Sequence, residues 1–420
     1  MDRLDITGGR PLHGSVQIGG AKNAALPLLA AALLSDQPLT LGNVPGVSDI
    51  TSMVALLREL GAVVDDHDPH RLTVTARDLT RAEASYDVVR RMRASFLVLA
   101  PLLARQGRAR ISRPGGCAIG TRPVDLHLST LERLGAVLST AGGMIEAQAP
   151  NGLTGARIVL PFASVGATHA AIMAATAARG ESEIVNGARE PEIVDLADCL
   201  TTMGARIDGA GTSIIRVQGP TVWRAAEHHV AADRIEAGTY LIAAVLTGGM
   251  LEVTGARLEH LGALCQVLSE AGAAIYPSDR GLVAERTGPL RAVDISTGPF
   301  PAFPTDLQAQ FTALMTLAQG VAVIREGVFE NRFMHVPELQ RMGADISHKG
   351  AMAVVRGVQA LHGADVMASD LRASASLVLA GLAARGVTRV HRVYHLDRGY
   401  EALDRKLSRC GADVRRVAEE

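Results

Sequence analysis

An α/β protein of two domains, assembled from six βαβαββ-like repeats with three in each domain, is the fold class that three observations predict. The first is a helical stretch closing on a small Gly-Ala step, which recurs as LRELGAVV, LERLGAVL, LTTMGARI, LSEAGAAI, LQRMGADI and LSRCGADV. The glycines of these steps, Gly61, Gly135, Gly204, Gly272, Gly343 and Gly411, are 74, 69, 68, 71 and 68 residues apart, the period of a repeated supersecondary unit. The second is a small-residue helix at fixed phase in each unit, followed by a glycine or turn and a short β-like run. The third lies at the chain ends: the sixth copy stops at ADVRRVAEE after one run, and the chain begins with RLDITGGRPLHGSVQI, which has the form of the missing half.

Each element has a local reason. A glycine just past an apolar helical pattern is a C-cap in the left-handed conformation, and the alternating residues after it read as a strand. Two β-like runs separated by turn residues then follow, as in AVVDDHDPHRLTVTA, which predicts a hairpin. The second helices are NAALPLLAAALL, RASFLVLAPLLARQG, GATHAAIMAATAARG, AGTYLIAAVLTGG, LQAQFTALMTLAQG and RASASLVLAGLAARG. They are apolar nearly all round and therefore buried on all sides. Aromatics make up only 3% of the chain, so these helices are expected to pack closely in a bundle sheathed by sheet. Ring closure by the N-terminus puts residues 1–21 with 231–420 in one domain and 22–230 in the other, with the boundary near Trp223 to Ala232.

Composition narrows the classes of function. The chain has 420 residues, 48% hydrophobic and 20% charged, enough apolar material for two cores. A net charge of −1 gives no global attraction to nucleic acid or to a membrane surface, so any anion recognition is local. The longest apolar run, Ala24 to Leu34, has 11 residues, whereas a membrane span needs roughly 20. Four cysteines without metal-ligand spacing, and no cationic apolar leader, point to a cytoplasmic protein without a disulfide framework.

Charge collects in two phases of the repeat. At the starts of the buried helices stand Lys22-Asn23, Arg93, the Ser164-Val165-Gly166 run, Asp233 to Glu236, Asp306, and Asp370 to Arg372. In the loops after the following strands stand Cys117 with Arg122, Arg189-Glu190, Glu330 to Arg332, and Asp397-Arg398. Helix starts favour anions through free N–H groups and the helix dipole. An aspartate at such a start is most often only a cap, and Arg-Glu pairs near turns are mostly surface salt bridges. Recurrence at equivalent repeat positions is what raises these residues above that reading; pseudosymmetry would gather them in one cleft between the domains.

The segment from Arg113 to His127 holds three glycines and two prolines, which predicts a long loop. Cys117 lies between Gly116 and Ala118, five residues before Arg122, where cations and loop N–H groups would lower a thiol pKa. The glycines at 115, 116 and 120 suit a lid. Cys199, Cys265 and Cys410 lie in apolar helical patterns and are expected to be structural. Zinc-ligand pairs, P-loops and dinucleotide fingerprints are absent, so the site is expected to work with a thiol, a carboxylate and fixed cations.

These strings resemble the UDP-N-acetylglucosamine enolpyruvyl transferases, also called 1-carboxyvinyltransferases. The resemblance runs from GGAKNAALP through MRAS, PGGCAIGTRPVDLH, NGAREPEIVD, PAFPTDLQAQ, FENRFMHVPEL and DLRASASLVLAG to HLDRGYE, nearly the full length. It implies the enolpyruvyl transferase fold, two inside-out α/β barrels of three repeats each. It also implies transfer of the enolpyruvyl group of phosphoenolpyruvate to the 3′-hydroxyl of UDP-N-acetylglucosamine with release of phosphate, the first committed step of peptidoglycan biosynthesis. By the same resemblance Cys117 is the proton donor and the target of fosfomycin, and Asp306 is the base. Lys22, Asn23, Arg93, Arg122 and Arg398 surround phosphoenolpyruvate, Arg332 and Arg372 stand near its carboxylate, and Lys22 and Arg398 share in catalysis. The sugar nucleotide is implied to touch Asn23, Arg93, Arg122, Pro123, Val124, Asp125, Leu126, Ala163, Ser164, Val165, Gly166, Asp306 and Val328. No metal, cofactor, nucleic acid or membrane is implied.

Two rivals remain at this point. The shikimate-pathway enolpyruvyl transferase shares the repeats but lacks the cysteine loop, so Cys117 and Lys22-Asn23 weigh against it. A non-catalytic sugar-nucleotide binder on the same scaffold would need neither Cys117 nor Asp306.

Overall fold

The computed structural model describes residues 2–84, 86–89, 92–113 and 124–418. All six glycines of the Gly-Ala steps have positive φ, at +105°, +96°, +116°, +102°, +95° and +96° in chain order. Each closes a helix, and each is followed by a strand: Val63–Asp68, Val137–Ala141, Arg206–Asp208, Ala273–Pro277, Asp345–Lys349 and Asp413–Ala418. The local signal and the observed element coincide because a left-handed residue costs an L side chain about 1–2 kcal/mol and glycine almost nothing.

The described strands form six four-stranded sheets on one plan. In the third repeat the strand Arg157–Val159 runs parallel to Gly180–Val185, which pairs antiparallel with Ile214–Gly219, and Arg206–Asp208 closes the far edge. The helix Val165–Ala175 makes the parallel crossover, and the helix Pro191–Thr202 leads into the hairpin. The order is therefore β-α-β-α-β-β, as the repeat predicts.

Contacts divide the described residues into two units, one within 2–19 and 232–418, the other within 20–113 and 124–231. In the first, the N-terminal strand Asp2–Thr7 lies between Val387–His391 and Asp413–Ala418, antiparallel to both, and supplies the strand the sixth repeat lacks. The strand His13–Gln17 then pairs parallel with Met250–Thr254 and opens the sheet of the fourth repeat. In the second unit, Ala226–His229 pairs parallel with Leu39–Gly42, so the end of the third repeat starts the sheet of the first.

Each unit has its own core of mainly apolar helices buried on all sides. Ala24 to Ala31 are all buried in the helix Lys22–Ala31, as are Ile235 to Leu246 in Arg234–Thr247 and Arg372 to Leu382 in Leu371–Ala383. Each fully buried leucine contributes roughly 1.5–3 kcal/mol. The amphipathic helices, such as Ser48–Glu59 and Leu258–Glu270, cover the outside and bury one face each. No helix among the described residues is long and apolar enough to cross a membrane.

Two expectations are corrected. The stretch RASFLVLAPLLARQG is not one α-helix: Arg93–Val98 is a 3₁₀ helix and the α-helix spans Leu99–Gln106. Pro101 lacks the N–H that would bond to the Leu97 carbonyl, so the preceding turns tighten. The segment expected to remain loop as far as His127 gives way to the helix Asp125–Arg133, because Leu128 and Leu131 follow helical spacing behind an acidic first turn.

The same geometry predicts a contrast. Gly411→Ala places a methyl in open space, 3.9 Å from the Pro11 carbonyl oxygen, and pays only for its left-handed backbone, about 1 kcal/mol. At Gly357 the added methyl would overlap the Ala318 carbonyl oxygen, so Gly357→Ala should cost about 3 kcal/mol or more. Urea unfolding of the two variants checks the ranking.

Candidate active site

In the unit of residues 2–19 and 232–418, the first turns of three buried helices meet. The Thr239 hydroxyl is 2.9 Å from the Tyr400 hydroxyl, and Gln310 Nε2 donates to both, at 3.2 and 3.1 Å. Asp233 and Asp370 prove to be caps: each accepts from the N–H groups two and three residues on. Asp306 differs. It sits in the 3₁₀ turn Thr305–Leu307 with no capping role for its side chain. Its carboxylate instead takes Arg332 Nη2 on Oδ1 at 2.5 Å and Arg372 Nη2 on Oδ2 at 2.9 Å.

Both guanidiniums are almost wholly buried, while the Asp306 side chain keeps 23% of its surface exposed. The Arg332 guanidinium lies over the Phe329 ring and that of Arg372 over Tyr400, 5.1 and 5.5 Å from the ring centres. Burial pushes the Asp306 carboxyl upward, but Arg372 and Arg332 outweigh it and hold the group well below the usual carboxylate range. Asp306 in turn raises Arg372 further against the opposing effect of burial. Two buried cations share one anion here, and Arg332 Nε and Arg372 Nη1 have no hydrogen-bond partner among the described residues. A cluster with free buried guanidinium donors suits a second carboxylate.

Val328 is exposed on the loop beside this cluster. Its N–H donates to Glu326 Oε1 at 2.8 Å, and Thr305, next to Asp306, donates to both Glu326 oxygens. Arg398 ends the 3₁₀ helix Val393–Arg398, whereas its neighbour Asp397 is occupied by Arg416 at 3.0 and 2.6 Å.

The other unit carries the remaining described candidates, again at helix starts. Lys22 opens the helix Lys22–Ala31, where a cation opposes the helix dipole, and no acidic residue stands in that first turn. Asp49, from the first turn of Ser48–Glu59, offsets this with a carboxylate 3.0 Å from Nζ. Asn23 beside it is exposed. Ser164 caps the helix Val165–Ala175 by accepting from Ala167 N–H at 3.4 Å. A Cβ at Gly166 would overlap the imidazole of His127, so glycine there lets the helix Asp125–Arg133 approach. Burial pushes His127 down to about 4, with Arg93 and His169 acting the same way, and His169 also lies at about 4 through burial. Both are neutral near pH 7. Val124 is buried, Asp125 exposed, and Leu126 and Ala163 partly buried.

Cys117, Arg122 and Pro123 lie outside the described residues. The remaining cysteines are buried and free, and burial raises all three thiols, Cys265 to about 11. Sequence reasoning missed Asp49, Thr305, Glu326 and Tyr400. Thr305 carried a faint signal through adjacency to Asp306; the others gave none, since their relevance comes from partners distant in the chain. No group of His, Cys, Asp and Glu among the described residues is arranged to hold a metal.

Comparison with known proteins shows the family of the chain. The family model described as EPSP synthase (3-phosphoshikimate 1-carboxyvinyltransferase) matches residues 6–407, which defines the class as carboxyvinyl transferases. The crystal structure of the enolpyruvyl transferase NikO from Streptomyces tendae superposes with a TM-score of 0.89 at 29% identity, covering 100% of this chain and 99% of that one. UDP-N-acetylglucosamine 1-carboxyvinyltransferase 2 of Mesorhizobium japonicum is 60% identical, and the 1-carboxyvinyltransferase of Gluconacetobacter diazotrophicus acting by name on the same sugar nucleotide is 57% identical, each over 100% of both chains. Within its class, this chain belongs to the UDP-N-acetylglucosamine 1-carboxyvinyltransferase family.

The Asp306 cluster predicts a pH-dependent share of stability. Its carboxyl is depressed in the folded chain, so the pairing stabilises fully above the unfolded value near 4 and is lost as pH falls through the lower folded value. Asp306→Asn should lower unfolding free energy at pH 7 by about 2 kcal/mol, less than for a fully buried pair because solvent reaches the carboxylate. Urea titrations should show the gap from the parent chain narrowing only below about pH 4; a gap unchanged down to pH 3 would contradict the assignment.

Proposed function

We propose that this chain transfers the enolpyruvyl group of phosphoenolpyruvate to the 3′-hydroxyl of UDP-N-acetylglucosamine and releases phosphate, opening peptidoglycan biosynthesis. The observation that carries the reading is the Asp306 carboxylate held by two buried arginines with donors to spare, in a chain of this family. Cys117 delivers a proton to the methylene carbon of phosphoenolpyruvate. The adjacent carbon becomes electrophilic, the sugar hydroxyl adds to it, and the hydroxyl proton passes to Asp306. The Cys117 thiolate then takes a proton back from the new methyl group as the C–O bond to phosphate breaks, which restores the double bond, and the departing phosphate carries away the proton held by Asp306.

A carboxylate held as low as Asp306 is a weak base. It suffices because the hydroxyl proton becomes acidic once its oxygen bonds to the electrophilic carbon. Arg332 and Arg372 hold the substrate carboxylate, and Lys22, Asn23, Arg93, Arg122 and Arg398 hold the phosphate side, as preorganised charge that needs no rearrangement as the tetrahedral intermediate forms. Residues 122–126, 163–166 and Val328 receive the sugar nucleotide; the capped N-terminus of Val165–Ala175 suits its diphosphate. The reading carries a cytoplasmic location with it, since both substrates are held inside the cell.

Phosphate release from phosphoenolpyruvate, measured with UDP-N-acetylglucosamine and separately with shikimate 3-phosphate, tests the reading. Release should require the sugar nucleotide and fall at least about 100-fold in Asp306→Ala; release with shikimate 3-phosphate would move the chain to the rival activity. A second check uses the epoxide phosphonate fosfomycin. Mass spectrometry should find one adduct, on Cys117, and an adduct on Cys199, Cys265 or Cys410 would refute the thiol's role.

A further inference from the structure

Glu326 is a buried carboxylate outside every role assigned so far, yet two of its partners, Thr305 and Phe329, also touch Arg332 of the Asp306 cluster. Its Oε1 accepts from the Thr297 hydroxyl at 2.8 Å, Val328 N–H at 2.8 Å and Phe329 N–H at 3.1 Å. The Thr305 hydroxyl donates across its two oxygens, at 3.0 and 2.9 Å. Thr305 is the donor in both contacts, so its single hydroxyl proton is committed to Glu326. What remains on Thr305 Oγ1 is acceptor capacity, and Arg332 Nη1 fills it at 3.1 Å. The other end of that guanidinium, Nη2, reaches Asp306 at 2.5 Å. Glu326, Thr305, Arg332 and Asp306 therefore form one chain of hydrogen bonds with a fixed direction. The same carboxylate also holds the backbone of Phe329, whose ring lies under Arg332.

We propose that Glu326, acting through the Thr305 hydroxyl, is the positioning residue that orients Arg332 against Asp306 and the substrate carboxylate. The inference rests on the function proposed above. A planar guanidinium with two ends must be fixed at both to present Nε, its one nitrogen without a partner among the described residues, in one direction. Without the Thr305 acceptor the group is held at one end only and can swing about its bond to Asp306. Glu326→Gln has nearly the same shape and still accepts through Oε1, but its amide would donate to Thr305. The hydroxyl proton would then face Arg332, setting donor against donor.

The test compares steady-state kinetics of Thr305→Val, Thr305→Ser and Glu326→Gln in the full chain, alongside the parent. Sugar-dependent phosphate release by the parent decides the proposed function by itself; the ratios among variants decide the positioning role. Thr305→Val and Glu326→Gln should each lower kcat/KM for phosphoenolpyruvate by about 10–100-fold, the loss expected for a hydrogen bond to a charged group. For Thr305→Val, KM for UDP-N-acetylglucosamine should stay within about twofold and the melting temperature within a few degrees. Thr305→Ser keeps the hydroxyl and should recover activity to within about threefold of the parent. The Thr305→Val, Glu326→Gln double variant should lose no more than the worse single change, since both break the same chain. Thr305→Val within threefold of the parent, Thr305→Ser as impaired as Thr305→Val, or fully additive losses in the double variant would each overturn the proposal.

Discussion

Helices of alanine, leucine and glycine packed on all sides can carry charge only at their ends, and that constraint organises the rest of this molecule. In the helix Arg234–Thr247, a Cβ at Gly238 would lie 2.5 Å from Leu307 Cδ1 and 2.9 Å from Leu264 Cδ2. The backbone approach that glycine permits there brings the turn bearing Asp306 against its neighbour. Small hydroxyls along these helices bond back to their own backbone, as Thr312 and Ser376 do, but a charged side chain there would be desolvated at a cost of a few kcal/mol. Chemistry is thereby confined to the first turns, where backbone N–H groups and the dipole already favour anions.

The carboxylates in those turns are of two kinds, which the structure separates by what each one touches. Asp233 and Asp370 bond to the N–H groups of their own helices and do the ordinary work of an N-cap. Asp306 stands in a 3₁₀ turn, turns away from its backbone and meets two arginines. Two buried guanidiniums share this one carboxylate, and each keeps a buried donor without a partner among the described residues. Lys22 repeats the logic in the other unit: a cation at the wrong end of a dipole is held in place by Asp49.

The circular closure of the sheets explains why the chain ends do not fray the design. The strand Asp2–Thr7 sits between two strands of the sixth repeat, hydrogen-bonded on both sides, so the sheet gains an interior strand instead of an open edge. Ala226–His229, by contrast, is the outer strand of the first repeat's sheet and, among the described strands, pairs parallel with Leu39–Gly42 alone.

Local signals in the sequence determined a great deal: the six left-handed glycines, the helices that precede them, the strands that follow, and the buried helices between. Each depends on the propensity or spacing of residues a few positions apart, which a linear reading captures. The break at Pro101 and the start of the helix at Asp125 lay at the limit of that reading, since each turns on one hydrogen bond or one turn of helix. Tertiary structure alone decided which aspartate is a cap and which is held by arginines, because the partners of Asp306 stand 26 and 66 residues away. It alone joined Lys22 to Asp49 and Glu326 to Thr305. These pairs have no periodicity to announce them; they exist because packing brings separate repeats within hydrogen-bond reach, a distance set by the whole fold.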